Sequence, residues 1–339
     1  MSDQHPRDLL GRPLHDLRIS LIDTCNFRCP YCMPAEVYGQ AYRFLERKDL
    51  LSFEEIQRVV RLFAQRGVVK VKLTGGEPLL RPWVPELVRM LKVVEGIQEV
   101  ALITNGSLLQ GLVLPLRSAG LDRLTVSLDS LEPATFEAMS GHRMRLPPVL
   151  GGLASAREAG FSPIKLNVVV MRGVNDHEVV DMARHFRGNH FIPRFIEFMD
   201  VGNRNGWSAD RVVPSREILA RIHAAFPLLP VAPAYRGEVA SRYRYADGEG
   251  EIGFISSVSQ PFCHDCSRIR LSAEGRLYTC LFARDGFDLR GPLRAGASDQ
   301  EMGEMLSGLW RRRADRYSEE RATERQPAGG KVEMYHIGG

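Results

Sequence analysis

"TCNFRCPYCMP", Thr24 to Pro34, places Cys25, Cys29 and Cys32 within eight residues, directly after the apolar run "LRISLID" (17–23). "CPYC" alone, near the end of a first strand, is compatible with a thiol–disulfide redox pair, but that reading leaves Cys25 without a role. The chain holds six cysteines. The other three, Cys263, Cys266 and Cys280, form a second triad with C-x2-C-x13-C spacing, and none is left over. A structural zinc site takes four protein ligands. Each triad offers three, with His264 as a spare donor at the second. A [4Fe–4S] cube takes thiolates on four irons. Three cysteines leave one iron open to a small molecule, much as open zinc sites do. Two triads then mean two open irons and two different guests.

Outward from the first triad, β-rich apolar runs alternate with helical patterns. The runs are 17–23, "VVKVKLTG" (68–75), "EVALITNG" (99–106), "RLTVSLD" (123–129), "IKLNVVVM" (164–171) and "RFIEFMD" (194–200). Between the first two, "SFEEIQRVVRLFAQRG" has Ser52 and Glu55 in a capping-box pattern, with Gly67 as the stop. Near-continuous apolar strands joined by helices predict an α/β fold with a helix-covered parallel sheet. Six β/α units fit an open doubly wound sheet or an incomplete barrel, and periodicity does not choose between them. After residue 200 the pattern changes. "VGNRNGWSAD" reads as a loop and 214–226 as a helix. The Pro-rich connector "PLLPVAPAYRG" then marks a boundary, giving expected regions 9–230 and 231–339. "RIRLSAEGRLYTC" reads as a hairpin turning at Gly275, and "RRRADR" (311–316) as a solvated helix face.

The 339 residues, 44% hydrophobic and 25% charged, are enough for a substantial core. A net charge of +4 does not by itself imply nucleic acid; it is compatible with an anionic small molecule in a local basic pocket. No run is suited to a signal peptide or approaches the roughly 18 apolar residues of a membrane span, so the expected location is the cytoplasm.

C-x3-C-x2-C after a first strand, with Tyr31 before the last cysteine and "TGGEP" (74–78) after the second strand, resembles the radical S-adenosylmethionine enzymes. "CSRIRLSAEGRLYTCLF", "SLDSL", "KLNVVVMRGVN", "RFIEFMD" and the ending "YHIGG" narrow the resemblance to the GTP 3′,8-cyclases, the molybdenum cofactor biosynthesis protein A family. It runs from about Leu17 to Gly339.

The resemblance implies an incomplete (β/α)6 TIM-type barrel with a C-terminal α+β region that carries a second cluster. It implies [4Fe–4S] clusters on Cys25, Cys29 and Cys32 and on Cys263, Cys266 and Cys280. S-adenosylmethionine would bind at Tyr31, Gly76, Ser127 and Met199. GTP would bind at Arg18, Lys72, Lys165, Arg268, Ile269 and Arg270. Arg268, Gly338 and Gly339 would serve catalysis, the two glycines by reaching into the site. A 5′-deoxyadenosyl radical would take the C3′ hydrogen of GTP, and C3′ would then bond to C8. Further implied are an electron donor of flavodoxin or ferredoxin type, a downstream cyclic pyranopterin monophosphate synthase, a homodimer, and neither membrane nor nucleic acid as partner.

Some of this stands on chemistry alone. Glycines admit a close backbone approach, and Glu77 can face an amino acid's ammonium. Arg268 and Arg270, two apart on a strand, share a face next to Cys266, where guanidinium forks suit phosphate oxygens. There is no G-x4-G-K-[ST] loop, so GTP rests on the resemblance. Two positions depart from the family pattern: Lys72 stands where arginine is usual, and Ile103 where a nucleotide-contacting threonine is usual. The rival functions are a peptide-modifying radical enzyme with an auxiliary cluster and a non-catalytic metal-binding protein.

Overall fold

The computed structural model describes residues 5–321 and 330–338. Six parallel strands follow one another in space as they do in sequence: β1 (Asp16–Ser20), β2 (Lys70–Thr74), β3 (Glu99–Thr104), β4 (Arg123–Ser127), β5 (Ile164–Val170) and β6 (Phe191–Glu197). Helices α1 (Phe53–Ala64), α2 (Val84–Lys92), α3 (Leu109–Ser118), α4 (Pro133–Met139), α5 (Leu146–Glu158) and α6 (Val179–Phe186) occur between them, and α7 (Ser215–Ala225) follows β6. The capping box at α1 forms as expected: Ser52 Oγ accepts from the Glu55 N–H at 3.1 Å, and Glu55 Oε2 accepts from the Ser52 N–H at 2.7 Å.

The strands are not the near-continuous apolar runs expected. They alternate. Leu17 and Ile19, Val71 and Leu73, Val100 and Leu102, Leu124 and Val126, Leu166 and Val168, and Phe195 are fully buried in the main apolar core. The intervening positions, Arg18, Lys70, Lys72, Arg123, Lys165, Asn167 and Arg194, line an internal cavity. The period of two therefore assigns one face to the core and the other to a polar interior.

The C-terminal region extends this sheet at both edges. Strands β7 (Leu228–Val231), β8 (Ser241–Tyr245) and β9 (Glu251–Ile255) add to β6, with β9 parallel to it. Strands β10 (Arg268–Leu271), β11 (Arg276–Tyr278) and β12 (Phe287–Asp288) add to β1, with β10 parallel to it. The expected 230/231 boundary thus falls within β7, inside what reads in sequence as a proline-rich connector. The hairpin at Gly275, φ +89°, is present. Helices α8 (Arg290–Arg294), α9 (Asp299–Arg311), α10 (Tyr317–Glu320) and α11 (Met334–Ile337) complete the described chain. Residues 256–267 run from one outer edge of the six-strand set to the other, and Cys263 and Cys266 lie on this crossing segment.

"RRRADR" is not a uniformly solvated face. Arg311 and Arg312 are exposed, but Arg313 is buried, with its side chain 1% exposed. Among the described residues no helix is long and apolar enough to cross a membrane.

Candidate active site

The first triad sits in the loop after β1, on the side where the parallel strands end, the usual active-site side of parallel α/β sheets. Its approach is fixed by the glycine pair after β2. The Gly76 N–H donates to the Ile22 carbonyl at 2.7 Å, and the Glu77 N–H to the Thr24 carbonyl at 2.9 Å. A Cβ on Gly75 would lie 2.5 Å from Ile22 O, and one on Gly76 would lie 2.2 Å from Thr24 O. The glycines therefore let the two loops pack backbone to backbone. Glu77 is committed to the same task. Its carboxylate accepts from Leu79 N–H (3.0 Å), Thr104 Oγ1 (2.7 Å) and Asn105 N–H (2.7 Å), so it ties the ends of β2 and β3 together.

A cavity of about 190 Å³ is lined by Cys25, Cys29 and Cys32 and by Tyr31, Gly76, Ser127 and Met199, so all four expected S-adenosylmethionine positions meet the triad. Tyr31 donates its hydroxyl to Asp129 at 2.7 Å. Burial pushes Cys25 up to about 11 and holds Cys29 and Cys32 well above the usual thiol range. Burial likewise raises Glu77 to about 7 and Asp129 to about 6. All three thiols are free and half-buried, three converging sulfurs of the kind that could hold a metal-bearing cluster.

The second triad is built differently. Cys266 Sγ accepts from Arg268 Nη2 at 3.4 Å and from Arg313 Nη2 at 3.3 Å. Burial pushes the Cys266 thiol up, but these two guanidiniums outweigh it and bring it down to about 6. Burial holds Cys280 up at about 12. Arg268 also lies over the Phe262 ring, 5.1 Å from its centroid.

These three cysteines line one wall of a cavity of about 180 Å³ that occupies the polar interior. Arg18, Lys72, Lys165, Arg268 and Arg270 all line it, as expected. Strand register sets Arg270 opposite Arg18, and Arg18 opposite Lys72. Like charges directly opposite one another on neighbouring strands repel. Burial first, then the neighbouring cations, depress Lys165 to about 8 and hold Lys72 and Arg270 well below their ordinary values. Burial also lowers Arg18 and Arg194 to about 10. Ile269 differs from these: its side chain is in the apolar core, which leaves its backbone to face the cavity's strand edge.

Lys70, Arg123, Arg194 and Arg313 are cavity-lining cations that the sequence reading does not single out. Arg194 was within reach of the strand pattern, since it shares the period of Asn167 and Lys165 on the facing strand. Its Nη2 donates to Asn167 Oδ1 at 2.5 Å, and its buried Nε has no hydrogen-bond partner among the described residues.

The two cavities share the walls Ile103, Asn167, Ile196, Met199 and Met334. The C-terminal tail joins them. Tyr335 packs among Tyr38, Tyr42 and Phe44, and its hydroxyl is 2.7 Å from that of Tyr42. The Gly338 carbonyl accepts from Arg270. A Cβ on Gly338, φ +74°, would lie 2.2 Å from Thr74 Cγ2, so a side chain there has no room. Asp200 anchors the tail, accepting from Tyr317 Oη (2.5 Å), Arg321 Nε (2.9 Å) and Lys331 Nζ (2.8 Å). Gly339 lies outside the described residues.

Residues 19–186 match the Radical SAM superfamily and residues 192–319 match the family described as Molybdenum Cofactor Synthesis C. A GTP 3′,8-cyclase of Acidothermus cellulolyticus is 51% identical, the alignment covering 98% of this chain and 99% of that protein. One of Xanthomonas axonopodis pv. citri is 52% identical, covering 98% of each. Among solved structures, Streptococcus suis SuiB bound to S-adenosylmethionine superposes with a TM-score of 0.62 at 12% identity, over 87% of this chain and 68% of that one; at that identity the likeness is one of fold.

Proposed function

The chain belongs to the GTP 3′,8-cyclase family of radical S-adenosylmethionine enzymes, and from that premise we propose that it converts GTP to (8S)-3′,8-cyclo-7,8-dihydroguanosine 5′-triphosphate, the first step of molybdenum cofactor biosynthesis. Cys25, Cys29 and Cys32 would hold one [4Fe–4S] cluster, and Cys263, Cys266 and Cys280 the other. S-adenosylmethionine, cleaved at the first, supplies the 5′-deoxyadenosyl radical, which is the cofactor's chemistry rather than the protein's.

The protein's part is placement. The observation that carries the reading is the in-register row Arg270–Arg18–Lys72, with Lys165 and Arg194 in the same cavity and the second triad on its wall. Glu99, Glu238 and Asp315 also line the cavity, but cations outnumber them, and among the described residues no carboxylate is in salt-bridge contact with Arg270, Arg18 or Lys72; such a surplus suits a polyanion, and guanidinium forks match phosphate oxygens. Placed there, GTP has its phosphates among the cations and its purine towards the second triad. The shared wall gives its ribose a path to the first cavity. The reaction moves hydrogen from C3′ to the 5′-deoxyadenosyl group and forms the C3′–C8 bond. One electron and one proton then complete the ring, so the product is an isomer of GTP. Gly338 is held by Arg270 beside Thr74, a residue of the first cavity's wall. The reading includes an external one-electron donor of flavodoxin or ferredoxin type, a downstream cyclic pyranopterin monophosphate synthase, a homodimer and a cytoplasmic location.

The test is anaerobic turnover of reconstituted enzyme with S-adenosylmethionine, a reductant and GTP deuterated at C3′. The expected result is deuterium in 5′-deoxyadenosine together with an isomer of GTP, and neither with ATP. Deuterium retained in the nucleotide while 5′-deoxyadenosine forms would overturn the reading.

A further inference from the structure

We propose that Arg313, braced by the buried Asp8–Arg12 pair, is a positioning residue of the second triad that raises the reduction potential of the cluster held there. This rests on the reading of Cys263, Cys266 and Cys280 as cluster ligands.

Arg313 brings its whole donor set to this spot. Nη2 donates to Cys266 Sγ at 3.3 Å, and Nη1 to the Cys266 carbonyl at 2.6 Å. Nε meets Asp315 Oδ2 at 3.2 Å, and Nη1 is 3.4 Å from Asp8 Oδ2. The guanidinium lies against the buried Trp310 ring, 4.6 Å from its centroid. Asp8 in turn pairs with Arg12, whose Nη1 donates to the carbonyls of Cys263 at 2.7 Å and Asp315 at 2.8 Å. The Trp310 indole N–H donates to the Arg12 carbonyl at 3.1 Å, and the Leu9 N–H to the Arg313 carbonyl at 3.1 Å. Three segments distant in sequence, 8–12, 263–266 and 310–315, are thus stitched together around the carbonyls and one sulfur of the triad. A solely structural arginine would need the carbonyls and carboxylates, not the sulfur.

Hydrogen bonds to cluster sulfurs and nearby charge set the potentials of iron–sulfur centres. Partners of metal ligands also fix ligand orientation. A fixed guanidinium at a ligating sulfur favours the more electron-rich state of the cluster. Arg268 makes a similar contact, but it directly follows the cysteine loop on β10 and is expected to bind substrate. Arg313 also lines the cavity, but it reaches Cys266 from the end of α9 and is held by Asp8, Asp315 and the Cys266 carbonyl, groups outside that reading.

The experiment uses the full chain with Cys25, Cys29 and Cys32 replaced by Ala, so that only the second site can load. Arg313→Met and Arg313→Lys are added to this background. Each protein is reconstituted with iron and sulfide, checked by circular dichroism and iron content, and titrated by spin resonance against solution potential. Arg313→Met should keep its iron and shift its midpoint to more negative potential. Arg313→Lys, which keeps the charge but loses the fork, should shift the same way by less. Iron retained with the parent midpoint in both variants overturns the proposal. If Arg313→Met does not fold, Arg313→Lys decides by the same criterion. A background protein that binds no iron overturns the cluster reading itself, and this inference falls with it.

Discussion

The two cysteine triads have the same number of sulfurs but differ at one of them, Cys266, since burial pushes Cys280 up as it does the first triad's thiols. Around Cys25, Cys29 and Cys32 the charged neighbours include carboxylates, Glu77 and Asp129, and all three thiols are pushed up. Around Cys266 stand Arg268 and Arg313, with Arg18, Arg270 and Lys72 beyond, and that thiol is brought down to about 6. The guests proposed for the two sites differ in the same sense. S-adenosylmethionine carries a sulfonium and an ammonium against one carboxylate, so it is a net cation. GTP is a polyanion. A cavity rich in cations disfavours a net cation and attracts a polyanion, so charge opposes S-adenosylmethionine at the second end. The shared wall of Ile103, Asn167, Ile196, Met199 and Met334 is largely apolar and belongs to neither field.

Deleting one sulfur from each site is the strongest way to break this comparison. Cys25→Ala should reduce 5′-deoxyadenosine formation to background, measured by chromatography after anaerobic incubation. Cys280→Ala should leave uncoupled cleavage of S-adenosylmethionine running while cyclised nucleotide disappears. Equal loss of both products in both variants would mean that the two triads form one functional unit, and the division of labour would fail.

A smaller effect tests the cationic end by itself. Lys165, depressed to about 8 by burial and by Arg194, carries its proton below that pH and loses it above. Binding a triphosphate favours the protonated form. Affinity for GTP should therefore be greatest below about pH 8 and weaken above it, by up to about tenfold per pH unit for one proton. Affinity for S-adenosylmethionine should not follow this profile. Replacing both Lys165 and Lys72 with Arg keeps the charge to higher pH and should move the inflection upward. An unchanged profile in the double variant, followed by calorimetry, would assign it to other groups.

How much of this was legible in the sequence follows from how local each signal is. The cysteine spacings, the glycine pair and the α1 capping box are contained within short windows, and each is where it was expected. Arg268 and Arg270 were legible because they follow Cys266 directly. Arg313 lies 47 residues from Cys266 and 305 from Asp8, so its role exists only once α9 and the N-terminal segment are packed. The cationic interior was hidden by another effect. The core-facing residues of β1 to β6 are so apolar that they dominate the runs, and the alternating Lys72, Lys165 and Arg194 look like interruptions. The closing of the sheet by β7 was masked by Pro230, although an edge strand tolerates proline because its outer N–H needs no partner. Glu77 shows the reverse case: a motif position read as ligand-facing serves to join two strand ends.

The smallest predicted effect concerns Ile103, which lies on the wall common to both cavities and stands where the family usually has threonine. A hydroxyl there adds one donor facing the guests. One ordinary hydrogen bond contributes about 0.5–1.5 kcal/mol net, so Ile103→Thr should tighten GTP binding by about two- to tenfold. Ile103→Val removes carbon without adding a donor and separates the two contributions: it should leave GTP affinity unchanged or slightly weakened. If Ile103 belongs to the nucleotide end, equilibrium binding will show the gain for GTP and not for S-adenosylmethionine. A gain for S-adenosylmethionine alone would move this residue to the first cavity. The boundary between the two fields would then lie nearer the second triad than the cation row implies, because the wall at Ile103 would answer to the cationic guest rather than the anionic one.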